Sequence, residues 1–344
     1  MSLPARRFTN PRAKNDFLGR TCSIASVGSY LPERVLTNSD LEKLVDTSDD
    51  WITTRTGIKE RRIAGKHEYT SDLAAKAALC AMERGAVRAE EIDLIILATI
   101  TPDMPVPSTA CLVQEKIGAY RAAAFDIEAA CSGFIYALEI GQHFIMARTC
   151  ETVLVIGAEK LSTIINWKDR STCVLFGDGA GAAILRNRPN AHGLLTACMG
   201  SDGSKAQLLC MPGGGSRCPP TRQSVAAGMH YLRMNGKETF KNAVTAMYLA
   251  AHEALRRCEL DISQIKCIIP HQANRRIIDA VCQRLNARPE QVFVNLEHVG
   301  NTSAASVAIA LDQAVQSGRI HRGDLALLIV FGAGLTWGAA VIEW

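Results

Sequence analysis

The chain has 344 residues, of which 48% are hydrophobic and 21% are charged, with 26 Gly and 12 Pro. This composition is ordinary for a globular protein and excludes a collagen, a coiled coil and an intrinsically disordered chain. The formal net charge of +4 is too small to indicate a nucleic-acid partner, although it is compatible with an acidic partner protein. The length predicts either about two domains or one large α/β unit.

The first 20 residues carry five basic residues and one acidic residue, without the apolar core of a secretory signal. We predict a flexible basic tail over residues 1–20, and an organelle transit peptide is the alternative. No run of the sequence reaches the ~18 apolar residues that a membrane span needs. We therefore expect no membrane partner and predict a cytoplasmic protein.

Twelve cysteines are scattered along the chain without any C-x-x-C pair. Several lie inside apolar runs, such as Cys80 in AALCAM and Cys267 in IKCIIP, where a free thiol behaves as a small hydrophobic residue. The pattern favours a reducing compartment and predicts neither a disulfide framework nor a structural zinc site.

Three patterns each occur twice along the chain: a helix leading into a buried strand, a strand followed by a sharp turn and a helix, and a glycine-rich turn that enters an apolar strand. The copies cover 72–101 and 241–271, 122–147 and 292–315, and 176–185 and 331–342. Such duplication predicts two similar halves packed about a pseudo-twofold axis.

We place the two halves at 21–190 and 191–344, with the join near 187–193. The Gly/Pro-rich stretch 211–228 is predicted to be a loop inserted in the second half. The helix that starts at Cys131 is apolar almost all round, which is typical of a helix buried between layers. A buried helix between two sheets predicts the α/β class and a layered α/β/α/β/α sandwich.

Cys131 lies where the predicted strand AAFDI turns into that buried helix. A thiol at a helix N-terminus faces free backbone N–H groups and the positive end of the helix dipole. A dipole contribution of up to ~2 kcal/mol equals about 1.5 pKa units, which would bring the pKa of this thiol from ~8.5 to about 7. The position favours a nucleophile, and a buried structural cysteine is the alternative.

His271 ends the predicted strand KCIIP, and functional groups gather at the carboxyl ends of strands in open α/β sheets. A satisfied loop histidine is the alternative interpretation. Asn301 lies in the turn that repeats the Cys131 turn in the second half. Helix capping by Asn301, Thr302 or Ser303 is the alternative there. If the two halves superpose, the Cys131 and Asn301 turns face each other at the axis.

Residues 47–57 predict a short helix with its N-cap at Thr47 or Ser48. Trp51 and Arg55 are four residues apart and therefore share a face of this helix. An indole beside a guanidinium suits stacking on an adenine and pairing with a phosphate. A tryptophan packed under an arginine stem is the alternative.

Six motifs follow one another along the chain: DTSDDWITTRTGIKER, AACSGF, FGDGAGAA, PHQANRRI, GNTSAAS and FGAGLTWG. Together they closely resemble the β-ketoacyl-acyl-carrier-protein synthase III family of condensing enzymes, from about residue 22 to the C-terminus. The elongating synthases of this fold carry two His and thiolases use a second Cys, whereas this chain has Asn301 and a Cys-free FGAGLTWG. The resemblance implies a thiolase-like five-layer αβαβα sandwich built from two duplicated halves.

The resemblance also implies an activity, that of an acyltransferase that initiates type II fatty-acid synthesis without a metal or another cofactor. Cys131 would take an acyl group from an acyl-CoA. Malonyl-acyl-carrier protein would then lose CO₂ and attack the acyl-cysteine in a Claisen condensation, giving a β-ketoacyl-carrier protein. His271 and Asn301 would donate to the malonyl thioester oxygen, and the backbone N–H groups of Cys131 and Ala333 would form the oxyanion hole.

Binding positions are implied residue by residue. The positions that match CoA-binding residues are Thr47, Trp51, Arg55, Arg170, Gly236 and Asn274. The adenine would lie between Trp51 and Arg170. Phe176 and Val106 match acyl-pocket positions. Arg276 matches a patch that docks the acidic acyl carrier protein, and a solvated helix face is the alternative. A homodimer is implied by the resemblance alone.

Three residues depart from the family pattern. Ala333 stands where the family usually has Gly in the oxyanion loop, which preserves a backbone donor as long as its φ stays negative. Lys237 replaces a common Asn beside the pantetheine tunnel, so we do not count it as a binding residue. Val106 replaces a bulky aromatic that reaches across the dimer to the partner's acyl pocket. The smaller side chain should deepen the pocket and admit primers longer or more branched than acetyl.

Two other functions fit parts of the sequence. One is a related Cys-His-Asn condensing enzyme of secondary metabolism, and the other is a non-catalytic acyl-CoA-binding protein of this fold. The intact set of Cys131, His271 and Asn301 argues against the second. Trp51 and the HQAN stretch with Arg276 favour the fatty-acid role over the first.

Overall fold

The computed structural model describes residues 21–188 and 193–344. The strands are β1 (Cys22–Tyr30), β2 (Val35–Thr37), β3 (Glu60–Arg62), β4 (Leu94–Ala98), β5 (Ala123–Ile127), β6 (Thr152–Glu159), β7 (Gly179–Asn187), β8 (Leu194–Ser201), β9 (Leu209–Cys210), β10 (Arg233–Met234), β11 (Cys267–Pro270), β12 (Leu325–Gly332) and β13 (Thr336–Glu343). The helices are α1 (Asn38–Glu42), α2 (Asp49–Thr56), α3 (Thr70–Gly85), α4 (Thr109–Ile117), α5 (Gly133–Met146), α6 (Arg170–Cys173), α7 (Arg222–Ala226), α8 (Gly236–Arg257), α9 (Arg275–Arg284), α10 (Leu296–Val299) and α11 (Ala305–Gln316). The basic tail predicted for 1–20, and part of the join predicted at 187–193, lie outside the described residues. The boundaries of the two halves remain predictions.

Two sheets repeat one strand order. The first runs β1-β7-β6-β4-β5, with β4 parallel to β5 and to β6, and with β7 antiparallel to β6 and to β1. The second runs β8-β13-β12-β11, with the same alternation of antiparallel and parallel pairs. Each strand of the second sheet therefore has a counterpart at the same place in the first, as the duplicated sequence patterns predict.

The prediction of a regular strand at the start of 292–315 is wrong. In the structure it is a single parallel bridge between Ile268 and Val292. The side-chain oxygen of Gln272 accepts the backbone N–H groups of Asn295 and Leu296, so a side chain takes the place of a continuing ladder. The chain then enters the short helix α10.

The five predicted layers are present and confirm the fold class. Strand β6 is covered on both faces, because its side chains alternate between them. Val153 and Val155 face a central core, while Leu154 and Ile156 face an outer core. Side chains of α5, α11 and both large sheets form the central core. Helices α3 and α4 cover the outer face of the first sheet, and α8 and α9 cover that of the second.

One close approach fixes the position of α11 against the first sheet. Gly157 of β6 lies against the turn before α11, where a Cβ would be only 2.4 Å from the carbonyl oxygen of Ala304. The absence of a side chain at Gly157 thus lets the N-terminal end of α11 touch the sheet.

The inserted stretch 211–228 is mostly loop, as predicted, with the short helix α7 inside it and a small β9–β10 pair at its base. All twelve cysteines are free thiols. Within residues 21–188 and 193–344, no helix has both the length and the apolar character to cross a membrane.

Candidate active site

Cys131 lies in a tight turn, Ala130–Ser132, between β5 and α5. Ala130 adopts a left-handed φ of +46°, which costs a residue with a Cβ of the order of 1 kcal/mol. This turn places the buried thiol at the N-terminal end of α5, as the sequence predicts. The cost of this conformation indicates that the surrounding structure holds the cysteine at a fixed place.

The second turn repeats this geometry in front of α11. Ser303 has a φ of +49°. Asn301 is held from both sides, because its N–H donates to the carbonyl of Leu175 and its carbonyl accepts from the N–H of Gly177, each at 2.9 Å. Its side-chain Oδ1 accepts the N–H of Ser303 at 2.9 Å. The Nδ2 hydrogens of Asn301 are therefore the donors that its amide can offer to a ligand.

His271 follows β11 directly, and its ring is buried. Ser306 Oγ accepts the backbone N–H of Gln272 at 2.8 Å and lies 3.0 Å from His271 Nδ1. Because its remaining hydrogen can be donated to Nδ1, we assign the tautomer of His271 that carries its proton on Nε2. Burial lowers the pKa of His271 to about 4, so the ring is neutral at physiological pH and acts as a hydrogen-bond donor.

These three side chains line one cavity of about 510 Å³. The structure thus brings together groups that lie up to 170 residues apart in the sequence, from the turn before α5, the end of β11 and the turn before α11. The other predicted site residues on this cavity are Trp51, Arg55, Phe176, Gly236, Asn274 and Arg276. Lys237, which we did not count as a binding residue, lines it as well.

Val106 and Ala333 line a second cavity, of about 1000 Å³. Ala130 also lines it, while the neighbouring Cys131 faces the first cavity. Val106 is 83% exposed, so its side chain is buried only slightly within this chain. Ala333 is not among the described residues with a positive φ. Gly332 before it packs on the turn that contains Cys131, since a Cβ at Gly332 would be 2.7 Å from the backbone N of Cys131.

The predicted helix α2 lies at the mouth of the first cavity, which its residues Trp51 and Arg55 line. Ser48 is its N-cap, with its side chain accepting the N–H of Trp51. The Cζ atoms of Arg55 and Arg170 lie 5.9 and 4.6 Å from the centre of the Trp51 ring. Arg170 therefore occupies the space in which an adenine would stack on Trp51, and it would have to move for the predicted sandwich to form.

Thr47 and Arg170 do not line the first cavity. Thr47 precedes the N-cap of α2, and its hydroxyl is buried without a hydrogen-bond partner among the described residues. Arg170 Nη1 donates to the carbonyl of Asp46 at 2.8 Å, which ties the start of α6 to the loop before α2. Both residues thus belong to the rim beside Trp51.

The pKa predicted for Cys131 is wrong. Burial raises the pKa of this thiol to about 12, the hydrogen bond with Ser303 lowers it, and the charge of Glu159 raises it further. The cost of burying a thiolate thus exceeds the helix-dipole contribution of up to ~2 kcal/mol on which the prediction rested. A thiol with this pKa carries very little thiolate at neutral pH.

Three polar residues of the site were missed as functional candidates from the sequence: Ser303, Ser306 and Glu159. Ser303 was treated only as a capping residue. Glu159 is the one acid in the apolar strand TVLVIGAE and stands at its carboxyl end. That position is the signal that could have found it, because functional groups of α/β sheets gather there. Among residues 21–188 and 193–344, no group of three or more His, Cys, Asp or Glu is placed to hold a metal ion.

Comparison with known proteins places this geometry among condensing enzymes. Family models described as 3-oxoacyl-[acyl-carrier-protein (ACP)] synthase III match residues 125–203, and as its C-terminal part residues 255–344. The chain is 56% identical over 321 residues to a beta-ketoacyl-[acyl-carrier-protein] synthase III of Caldanaerobacter subterraneus, covering 93% of this chain and 97% of the relative. A relative of the same name from Symbiobacterium thermophilum is 51% identical over 325 residues, covering 94% and 98%.

Solved structures show the same similarity. The 3-oxoacyl-[acyl-carrier-protein] synthase III of Aquifex aeolicus superposes with a TM-score of 0.88 at 50% identity, covering 94% of this chain and 100% of that one. The priming β-ketosynthase of a polyketide biosynthetic pathway superposes with a TM-score of 0.87 at 36% identity, covering 94% and 96%.

Proposed function

The chain belongs to the 3-oxoacyl-[acyl-carrier-protein] synthase III family, and from that premise we propose that it is the condensing enzyme that initiates fatty-acid synthesis. It transfers an acyl group from acyl-CoA to Cys131 and condenses this group with malonyl-acyl-carrier protein. The observation that carries the proposal is the single cavity shared by Cys131, His271 and Asn301. The reaction needs only its two substrates and no resident metal or other cofactor.

In the first step, Cys131 Sγ attacks the thioester carbonyl of acyl-CoA, and the CoA thiolate leaves. The carbonyl oxygen becomes negative, and the backbone N–H groups of Cys131 and Ala333 are the donors we propose for it. The packing of Gly332 on the N of Cys131 supports this pairing, because it brings the β12 end to the nucleophile turn. Such a donor contributes roughly 3–4 kcal/mol to transition-state stabilisation.

In the second step, the malonyl group loses CO₂ and its enolate attacks the acyl-cysteine. Negative charge then develops on the malonyl thioester oxygen. His271 Nε2–H and Asn301 Nδ2–H are suited to stabilise it, since Ser306 and the N–H of Ser303 hold the opposite sides of these two groups. A neutral imidazole acts here as a donor and does not abstract a proton.

The substrates would reach the cysteine from the mouth beside α2. Trp51, Arg55 and Arg170 would bind the nucleotide of CoA, with Thr47 at the rim. Gly236 and Asn274 would line the pantetheine path. The Asn274 side chain accepts the N–H of Arg276 at 2.9 Å and donates to the carbonyl of Arg55 at 3.1 Å, so it connects α9 to α2.

Arg276 stands at the outer end of the first cavity and would dock the acidic acyl carrier protein. Its Cζ lies 5.9 Å from the centre of the Phe240 ring, which lines the same cavity. A cation at this place would attract a carrier protein of opposite charge and guide its prosthetic arm inward.

The acyl chain would lie against Phe176, which pairs with Asn301 in a parallel bridge. We propose a homodimer in which Val106 meets the acyl pocket of the partner, and a cytoplasmic enzyme. The small side chain would admit primers longer or more branched than acetyl. Measuring acylation with acetyl-, isobutyryl-, hexanoyl- and octanoyl-CoA tests this, and strict preference for acetyl-CoA would contradict it.

Mass spectrometry of the intact protein tests the proposed nucleophile. After mixing with acyl-CoA, we expect one acyl adduct, located on Cys131 by peptide mapping. Cys131→Ser should lose the stable adduct, while Cys111→Ser, a change at an exposed cysteine, should keep it. An adduct on any other cysteine, or full condensation by Cys131→Ser, would disprove the assignment.

The choice of extender decides between fatty-acid initiation and a related role. The similarity to the priming enzyme of a polyketide pathway keeps a condensing enzyme of secondary metabolism as the second candidate. We expect the acylated protein to condense with malonyl-acyl-carrier protein and not with malonyl-CoA. Efficient condensation with malonyl-CoA alone would favour the second candidate.

A further inference from the structure

Glu159 is a buried acid that the mechanism above does not use. It ends β6, and no part of its surface is exposed. Its carboxylate accepts from Thr101 Oγ1 at 2.6 Å, from Thr99 Oγ1 at 3.1 Å and from the N–H of Ile100 at 3.2 Å. A fourth donor is Ser303 Oγ at 3.1 Å. Within residues 21–188 and 193–344, these four donors contact the carboxylate and no cationic side chain forms an ion pair with it. Burying an acid without a cationic partner is costly, so its presence calls for a role.

The fourth donor links this acid to the nucleophile. Cys131 Sγ donates to Ser303 Oγ at 3.4 Å, and the same hydroxyl donates to Glu159 Oε1. We propose that Ser303 and Glu159 form a proton relay that removes the proton from Cys131 as it attacks acyl-CoA. The inference deepens the proposed function and rests on it. Ser303 touches the reacting sulfur, whereas Glu159 acts through Ser303.

The relay balances every proton of the reaction. During attack, the thiol proton moves from Sγ to Ser303 Oγ, and the hydroxyl proton of Ser303 moves to Glu159 Oε1. A C–S bond forms to Cys131 and the C–S bond to CoA breaks, and the CoA thiolate takes a proton from solvent. Condensation later frees Cys131 as a thiolate, which recovers the stored proton by the reverse path. The full cycle therefore consumes one solvent proton, as the formation of CoA, CO₂ and a neutral product requires.

The surroundings of Glu159 suit a base. Burial raises its pKa to about 7, while the hydrogen bonds from Thr101, Ile100, Ser303 and Thr99 lower it, so a large fraction is ionised at neutral pH. The ionisable group that faces it from the turn before α5 is Cys131, whereas 99–101 and Ser303 contribute no ionisable side chains.

Neighbouring basic groups are engaged elsewhere. The ammonium of Lys160, the residue that follows Glu159 in the chain, donates to the carbonyls of Gly65 and Glu68. His271 cannot serve as the base in the tautomer assigned above, because Ser306 holds its Nδ1 and its Nε2 carries the proton. Among the described residues, the hydrogen bonds from Cys131 to Ser303 and from Ser303 to Glu159 therefore provide the path by which the thiol proton can be accepted.

Single-turnover acylation tests the relay in the full-length protein. The rate of acyl-adduct formation is measured by quenched-flow mass spectrometry over a pH range that spans the pKa of Glu159 by two units on each side. For the natural protein, we expect the rate to rise with pH and level off above about 7, as Glu159 ionises. Ser303→Ala should lower the rate at neutral pH on the order of 10²-fold and remove this inflection.

A second measurement separates the relay from a structural role. Protein that has been acylated by long incubation is mixed with malonyl-acyl-carrier protein, and the rate of CO₂ release, which precedes the return of the proton to Cys131, should in Ser303→Ala be close to that of the natural protein. Glu159→Gln should repeat the acylation defect. The matched control is Thr302→Ala, which removes a neighbouring buried hydroxyl that has no partner among the described residues and should leave acylation unchanged.

Two results would overturn the relay: acylation of Ser303→Ala at the natural rate and with the same inflection, or equal losses in the rates of acylation and of CO₂ release. If the natural protein forms no adduct at Cys131 with any acyl-CoA, the proposed function itself fails. That outcome is distinct, because it appears before any variant is made.

Discussion

Gly157→Ala measures how closely α11 must approach the first sheet for the site to work. The added Cβ would lie 2.4 Å from the carbonyl oxygen and 2.8 Å from the carbonyl carbon of Ala304. Restoring an ordinary contact of about 3.5 Å moves that backbone by about 1.1 Å, the difference of the two distances. Overpacking of this kind costs about 1–3 kcal/mol in the free energy of unfolding.

The same displacement would also reach the chemistry. Asn301 and Ser303 belong to the turn that Ala304 completes, and a shift of about 1 Å in a positioning group can lower a rate by about 10²-fold. We therefore expect Gly157→Ala to lose both stability, measured by denaturant unfolding, and condensation turnover. Gly203→Ala is the control, because a Cβ there meets nothing within 4 Å. Natural stability and turnover in Gly157→Ala would refute the reasoning.

Three further predictions divide the reaction into its parts. His271→Ala and Asn301→Ala should each lower condensation by about 10²–10³-fold while leaving the acyl adduct intact, measured by CO₂ release and by mass; loss of the adduct would contradict their assigned step. Trp51→Ala removes the ring beneath Arg170, and a loss of about 1 kcal/mol should raise the KM for acyl-CoA about fivefold; an unchanged KM would place the nucleotide elsewhere. Arg276→Ala should raise the KM for malonyl-acyl-carrier protein and weaken its salt dependence without changing acylation by acyl-CoA, and equal effects on both substrates would argue against a docking role.

The parts of the fold that the sequence predicts well are those that depend on residues close together along the chain. Local composition predicts the N-cap of α2 at Thr47 or Ser48 and the buried character of α5; Ser48 is the N-cap, and α5 is largely buried. The duplication predicts a turn opposite Cys131, and Asn301 lies on the same cavity. By contrast, the bridge at Val292 replaces a predicted strand because the side chain of Gln272, 20 residues earlier, takes the backbone donors that follow it.

The pKa of Cys131 could not be predicted from the sequence for a physical reason. The helix dipole at Cys131 is a local property, whereas its desolvation depends on how both halves pack around it. Neither Ser303 nor Glu159 is near Cys131 along the chain, and their hydrogen bonds exist only in the folded molecule. Local reasoning therefore predicts a lowered pKa for a thiol whose pKa burial raises to about 12.

The contact between Cys131 and Ser303 spans 172 residues of chain. At the ~5–20 residues per second of protein synthesis, the cysteine precedes its serine by about 9 to 34 s during translation. Closing so long a segment is slow and comes late in folding. A nascent chain therefore exposes its sulfur to the cell well before that sulfur gains the hydroxyl beside it, and a ribosome that stalls within this interval releases an unfinished chain without the assembled site.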